Sequence, residues 1–331
     1  MKSKTVRRIG CALAGLLLLF CLLMAVPRLW GMIFPEKPPV GYHFEALDYL
    51  AIRAGLEDLI NQYPEVPENI EEIKDIEYKN VNGQSLQLDL YKTKNLTSSA
   101  PLLVFIHGGG WKGGKRSDYL VYLLAFAQKG YVTATVSYRL LKDAPYPACA
   151  EDITDALQWF FKNGDAYGYD PDRICLIGGS AGAHLALLAA YGWGEERIKT
   201  DSTQTIANTK RIKAVVDIYG PADLTTPYAQ SQSLVSNFIA HSWQERPDLY
   251  SEASPVRYVS PDDPPTLILH GTSDNLVPVS QSDSLNAQLV RVNVPCKYYK
   301  VPLWPHTMDM AQRVNDFSQR KMNDFFERYV R

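Results

Sequence analysis

Cysteine is scarce and scattered: Cys11, Cys21, Cys149, Cys175 and Cys296 are the 5 in 331 residues, and no pair lies at C-x-x-C or Cys/His ligand spacing. A disulfide framework and a structural zinc site are thereby excluded, and no other cluster supports a metal. No charge of one sign dominates. Lys+Arg number 34 against Asp+Glu 36, a formal net charge of −2, and the body of the chain has no long basic run. A nucleic-acid partner, which needs a cationic surplus to neutralise phosphates, has no support here. There is no internal repeat. With 46% hydrophobic and 21% charged residues the chain is neither disordered nor collagen-like, and its length allows one large α/β domain or two small ones.

What is present begins with a membrane signal. Lys2, Lys4, Arg7 and Arg8 precede an uncharged run over 9–26, 18 residues dominated by Leu, Ala and Met. At about 1.5 Å per residue such a run nearly spans a hydrocarbon layer, and Trp30 falls where an interfacial aromatic belongs. A cleaved signal peptide, giving a secreted body, is the competing reading, but no small-x-small site follows the apolar run. Residues 1–34 are therefore expected to be an uncleaved anchor with its basic flank in the cytoplasm and the body outside. The tripeptide Asn95-Leu96-Thr97 matches a glycosylation acceptor, relevant only on a eukaryotic secretory route.

A Pro-rich segment over 35–41 reads as an extended spacer, and apolar residues at helical spacing over 43–62 as an accessory helix. Together they make up a unit of 35–70. The remainder, 71–331, opens with alternating patterns at 76–81 and 86–91 around Asn82-Gly83, a hairpin signal. Apolar runs at 102–106, 132–136, 174–177, 214–218 and 266–269 then alternate with helical stretches at 119–128, 153–162, 181–190, 279–290 and 310–329. That rhythm implies a mostly parallel sheet with helices on both faces. Insertions at 192–211 and 221–265 interrupt it, and the second is long enough to carry its own helices as a lid.

The chemistry-bearing motif is Gly178-Gly179-Ser180-Ala181-Gly182, directly after an apolar strand and directly before a helix. A turn that tight leaves no room for flanking side chains and pushes the serine hydroxyl out at the carboxyl edge of the sheet. No Lys follows Gly182, which excludes a nucleotide P-loop. A serine needs a base, and the base an orienting carboxylate. Of the six histidines only His306 lies on a loop after the last strand and before the final helix, as the order Ser, acid, His demands. Asp274, in the turn leaving the strand 266–270, is the chosen acid; Asp223 comes a strand early, Asp283 falls inside a helix and Asp309 follows the histidine. His107-Gly108-Gly109-Gly110-Trp111 ends the strand 102–106, so the N–H groups of Gly109 and Gly110, with that of Ala181, are the expected oxyanion donors.

These residues make the chain resemble the α/β-hydrolase serine esterases, in the hormone-sensitive-lipase-like branch with its bacterial feruloyl/acetyl esterase relatives. The likeness runs from about residue 70 to the end and includes Ser137-Tyr138-Arg139-Leu140, Tyr219-Gly220-Pro221-Ala222-Asp223-Leu224 and His270-Gly271-Thr272-Ser273-Asp274. Trp111 and Ala183-His184 bring it nearer the feruloyl/acetyl type, while Thr307-Met308 after His306 departs from the family's frequent Gly-Phe. The resemblance implies a cofactor-free carboxylesterase acting on short-chain acyl or aryl esters through an acyl-enzyme on Ser180, with acyl groups on carbohydrate as an extension by analogy. An amide-cleaving hydrolase and a non-catalytic binding protein on the same scaffold are the alternatives. The first would show an acidic pair gripping an amine and the second would lack a triad member, and neither feature is found.

Overall fold

The computed structural model describes residues 2–42, 45–96, 99–192 and 211–331. Among them eight strands form one sheet: β1 (Ile70–Val81), β2 (Gln84–Thr93), β3 (Ala100–Ile106), β4 (Val132–Val136), β5 (Tyr169–Gly179), β6 (Ile212–Ile218), β7 (Thr266–Gly271) and β8 (Cys296–Val301). Their spatial order is β1-β2-β4-β3-β5-β6-β7-β8. The first hairpin is antiparallel and β2 joins β4 antiparallel, whereas every later pairing is parallel. The expected alternation is thus realised, and β3 and β4 are buried along their whole length. Helices on both faces leave these strands little room for polar side chains, so both read as mainly apolar runs; Thr133 and Thr135 of β4 are the buried exceptions, Thr133 Oγ1 donating to Leu123 O at 3.0 Å.

Helices cover both faces. On one lie α3 (Leu120–Ala127) and α10 (Gln312–Tyr329), whose Phe126, Phe317 and Phe326 pack with Phe105, Ile177 and Leu269. On the other lie α4 (Ala148–Tyr167), α5 (Ala181–Ala190) and α9 (Ser280–Arg291), which bury Ile153, Phe160, Leu185 and Leu285 against Val104, Leu176 and Val215. Truncating one such fully buried Phe to Ala costs about 3–5 kcal/mol.

Several expected boundaries move. The hairpin strands extend past 76–81 and 86–91: β1 is an edge strand whose charged start, Glu71 and Glu72, can pair while partly open to solvent, and β2 is carried with it by pairing from Ile70↔Thr93 to Val81↔Gln84. β8 was not anticipated: its Lys297 and Lys300 interrupt a short strand at the opposite edge. The accessory helix occupies only α2 (Glu45–Arg53), since Gly55 turns the chain at φ +67° and Leu59 then forms a bridge with Ala311. The Pro-rich segment is no free spacer. Gly41 N donates to Pro302 O at 2.8 Å and Trp304 Nε1 to Pro39 O at 3.1 Å, so it lies docked on the body.

The amino-terminal helix α1 (Lys2–Ile33) is longer than the uncharged run, passing through Pro27 and Arg28. Its stretch Cys11–Ile33 is long and apolar enough to cross a membrane. The insertion 221–265 carries α6 (Pro227–Ser231), α7 (Ser233–Ile239) and α8 (Pro247–Glu252). The insertion expected over 192–211 falls, except at its ends, outside the described residues, as does Thr97 of the acceptor tripeptide.

Candidate active site

Parallel register brings the motifs together. Ile106 pairs with Gly178 and Gly271 with Val301, so the chain leaves β3, β5, β7 and β8 on one edge of the sheet. At the end of β5 Ser180 adopts φ 55°, ψ −123°, an unfavourable backbone for a side-chain-bearing residue. It is held there by its own N–H donating to Ile218 O at 2.9 Å and by close backbone packing: a Cβ on Gly182 would overlap Ile106 O and stand 2.6 Å from His107 O.

The three residues chosen from the sequence meet. Asp274 Oδ2 accepts from His306 Nδ1 at 2.6 Å, and His306 Nε2 stands 3.0 Å from Ser180 Oγ. Because a carboxylate only accepts, the imidazole proton sits on Nδ1, leaving Nε2 free to take the hydroxyl proton. The other Asp274 oxygen accepts from Leu276 N at 2.9 Å and Val277 N at 2.8 Å. Burial alone would raise the Asp274 pKa, but hydrogen bonds from His270 and His306, the His306 charge and the Val277 N–H outweigh it and hold the carboxyl down to about 2. It is therefore ionised at any pH near neutral.

The rejected acids are engaged elsewhere. Asp223 caps its own turn through Thr225, Asp283 bonds Tyr298 and Lys300, and buried Asp309 accepts from Tyr219 and Tyr122. Of the other histidines, His184 is enclosed by Trp111 and Phe238 and pushed down to about 4 by burial. His107 is likewise buried with its pKa lowered by desolvation, its ring stacked on Tyr138. His241 is exposed, and His43 lies outside the described residues.

Gly109 and Gly110 take φ +102° and +58°, which only glycine reaches without strain, and Gly108 passes so close to the elbow that a Cβ would stand 2.7 Å from Gly179 O. Among the described residues no carbonyl or side chain accepts from the N–H groups of Gly109, Gly110 or Ala181. Such unclaimed donors, one at the start of α5 and two in the loop after β3, suit a developing oxyanion. They open, with Ser180 and His306, on a cleft of about 620 Å³. Its walls are mainly apolar: Trp111, Tyr219, Leu276 and Met310 from the body, with Leu224, Tyr228, Leu234 and Val235 from the insertion.

Three neighbours were not found from the sequence. The Tyr219 ring lies 4.7 Å from that of His306; His270 Nε2 stands 3.3 Å from Asp274 Oδ2 while bonding Val277 O at 2.8 Å; and Gln62, from the amino-terminal segment, lines the cleft and bonds Met310 Sδ at 3.0 Å. Tyr219 and His270 sit inside motifs quoted for the family resemblance, and that is the only signal they gave.

Comparison with known proteins bears on the family and the fold. The model of the BD-FAE family matches residues 88–289. The chain is 33% identical over 237 residues to the probable carboxylic ester hydrolase LipM of Mycobacterium tuberculosis, covering 69% of this chain and 54% of that protein. It spans about half the length of the curated relatives it matches, at 54–57% for three mycobacterial ones. A truncated carbohydrate esterase from gut microbiota superposes with TM-score 0.65 at 22% identity over 78% of this chain and 95% of that one. Esterase 2 of Thermogutta terrifontis with propionate bound gives 0.63 at 21% identity over 80% and 95%. At such identities the likeness is one of fold.

Proposed function

Because the chain belongs to the BD-FAE family and has the α/β-hydrolase fold, we propose that it is a carboxylic ester hydrolase working through Ser180, His306 and Asp274. The observation that carries this reading is the unbroken hydrogen-bonded line from Asp274 through His306 to Ser180, opening on a cleft beside three unclaimed N–H donors. Ser180 Oγ attacks the ester carbonyl as His306 Nε2 takes its proton, and Asp274 stabilises the imidazolium. The oxyanion sits among the N–H groups of Gly109, Gly110 and Ala181. Collapse of the tetrahedral adduct breaks the C–O bond, and His306 returns the proton to the departing alcohol. Water, deprotonated by the same imidazole, then cleaves the acyl-enzyme and releases the acid.

The substrates are short-chain acyl or aryl esters, with carbohydrate-linked acyl groups among them; a cleft of this volume with mainly apolar walls suits a small ester. In this reading α1 anchors the protein in a membrane, and its basic flank, Lys2, Lys4, Arg7 and Arg8, supports a body on the extracytoplasmic side. The full-length protein in detergent should hydrolyse 4-nitrophenyl acetate or butanoate, and Ser180→Ala should abolish that activity while unfolding at the same temperature. Equal rates for the two proteins would sink the assignment.

A further inference from the structure

Helix α2 is apolar on the wrong side. Leu47 and Ala51 face inward, packing with Met24 and Tyr42, as an amphipathic helix requires. Yet the surface it presents outward carries Tyr49, Leu50 and Ile52, with Tyr49 64% exposed; of the charged residues between Ala46 and Ala54, Arg53 is exposed, and Asp48 is half-buried and accepts from Tyr42 N at 3.3 Å. Scattered single exposed hydrophobes are ordinary, but three within one turn beside an apolar helix are not.

The position of α2 explains them. The apolar stretch of α1, 23 residues over Cys11–Ile33, is about 34 Å long, a few ångströms more than the hydrocarbon layer. The body does not wait for that stretch to end. Met24 and Pro27 are buried, Arg313 Nη1 donates to Pro27 O at 2.9 Å, and Arg28 Nη1 donates to Gly55 O and Leu56 O at 3.3 and 3.1 Å. Met24 precedes Ile33 by nine residues, about 14 Å of helix. With α1 spanning the bilayer, whatever packs on Met24 sits roughly 10 Å below the edge of the hydrocarbon layer. What packs there is α2. Within the apolar stretch Arg28 is the one charge and is capped by two carbonyls, and buried Glu57 is paired with Arg313, while the exposed Lys37, Asp58, Asp316 and Arg320 line the groove beside them as its polar rim.

We propose that α2 is a second membrane contact, immersed with Tyr49, Leu50 and Ile52 in the headgroup–acyl boundary beside α1, so that the body is seated on the lipid surface rather than held off by a spacer. This rests on the reading of α1 as a membrane anchor. From α2 the chain runs through exposed Leu59 and Tyr63 past Gln62 on the cleft wall, which ties the seated element to the rim of the active site.

The test uses the full chain in phosphatidylcholine vesicles carrying a phosphatidylcholine with a diazirine on its acyl chain. After irradiation and digestion, lipid adducts are expected in peptides of α1 and also in the peptide holding Tyr49–Ile52, well above the level in α4, which packs on the opposite face of the sheet from α10 and its Arg313. Adducts in α1 with none above the α4 level in the α2 peptide overturn the proposal while leaving the anchor in place. Adducts in neither overturn both.

Discussion

Replacing Asp274 with Asn keeps the size of the side chain and removes one charge, and the structure dictates how the amide must sit. At the Oδ1 position two fixed backbone donors, Leu276 N at 2.9 Å and Val277 N at 2.8 Å, demand an acceptor, so the amide oxygen is held there. The NH₂ then faces His306 Nδ1, where Oδ2 accepted at 2.6 Å. The imidazole can answer by moving its proton to Nε2, which the backbone amides cannot do. But Nε2–H turned toward Ser180 Oγ has no lone pair to receive a proton. Flipping the amide to restore the working tautomer leaves two N–H groups facing donors, the buried one of Val277 and the part-buried one of Leu276, at about 1–3 kcal/mol each, against about 1 kcal/mol for the bond to His306. A net penalty of about 3 kcal/mol leaves roughly one molecule in a hundred competent. Loss of the charge-assisted bond to the imidazolium costs about another 1.5 kcal/mol, or tenfold. Together kcat/KM on 4-nitrophenyl acetate should fall about 10³-fold, on the order of 4 kcal/mol. Since Asp274 is ionised down to about pH 2, its own titration contributes nothing to the pH profile over the working range. The measurement is kcat/KM for both proteins between pH 6 and 9, beside their unfolding temperatures. A loss below about tenfold in a normally folded Asp274→Asn would refute the tautomer argument.

Two further outcomes follow from charge placement. Asp217 is buried with Oδ2 unpartnered among the described residues, and burial pushes its carboxyl up to about 7. A raised folded-state pKa means that the ionised form opposes folding: the penalty is full above pH 7 and fades as the pH falls toward the ordinary 3.8. The stability advantage of Asp217→Asn over wild type should therefore shrink by on the order of 2 kcal/mol between pH 8 and pH 5 in denaturant titrations, and a pH-independent difference would exclude this account. For orientation, protease added to intact cells should remove the body from the anchored protein, and a body protected until the cells are lysed would reverse the topology.

The site was more legible than its surroundings, and for a physical reason. Ser180, Asp274 and His306 each stand where a strand ends, and chain order narrows six histidines to one. Asn82-Gly83 located the hairpin because that pair favours the backbone of its turn, with both residues at positive φ. β8 escaped because an edge strand with Lys297 and Lys300 has no buried period to detect. Docking of 35–41 on Trp304, and of Gln62 on Met310, joins residues about 250 or more apart in sequence and leaves no local pattern. His270 is the contrary case: its partners, Val277 O and the Asp274 carboxylate, lie only seven and four residues further along the chain. Its contact is local, inside the turn that leaves β7, and its signal was the motif that also holds Asp274.

That distinction also says where the precision of the site resides. The Ser180–His306 distance is set less by either side chain than by backbone contacts that glycine alone permits. Gly182 lies against Ile106 O and His107 O, Gly108 against Gly179 O, and Gly271 against Trp304 and Pro305 carbonyls. The first two contacts lock the ends of β3 and β5 together, and the third locks the end of β7 to the segment before His306. Each joins two of the loops that carry the proposed nucleophile, oxyanion donors, acid and base. An added methyl group at any of them would push apart main chains that cannot repack as side chains do, so the damage would appear first as lost alignment among Ser180, His306 and the N–H donors. The glycines that made the motif visible in the sequence are therefore the residues that hold the chemistry in register.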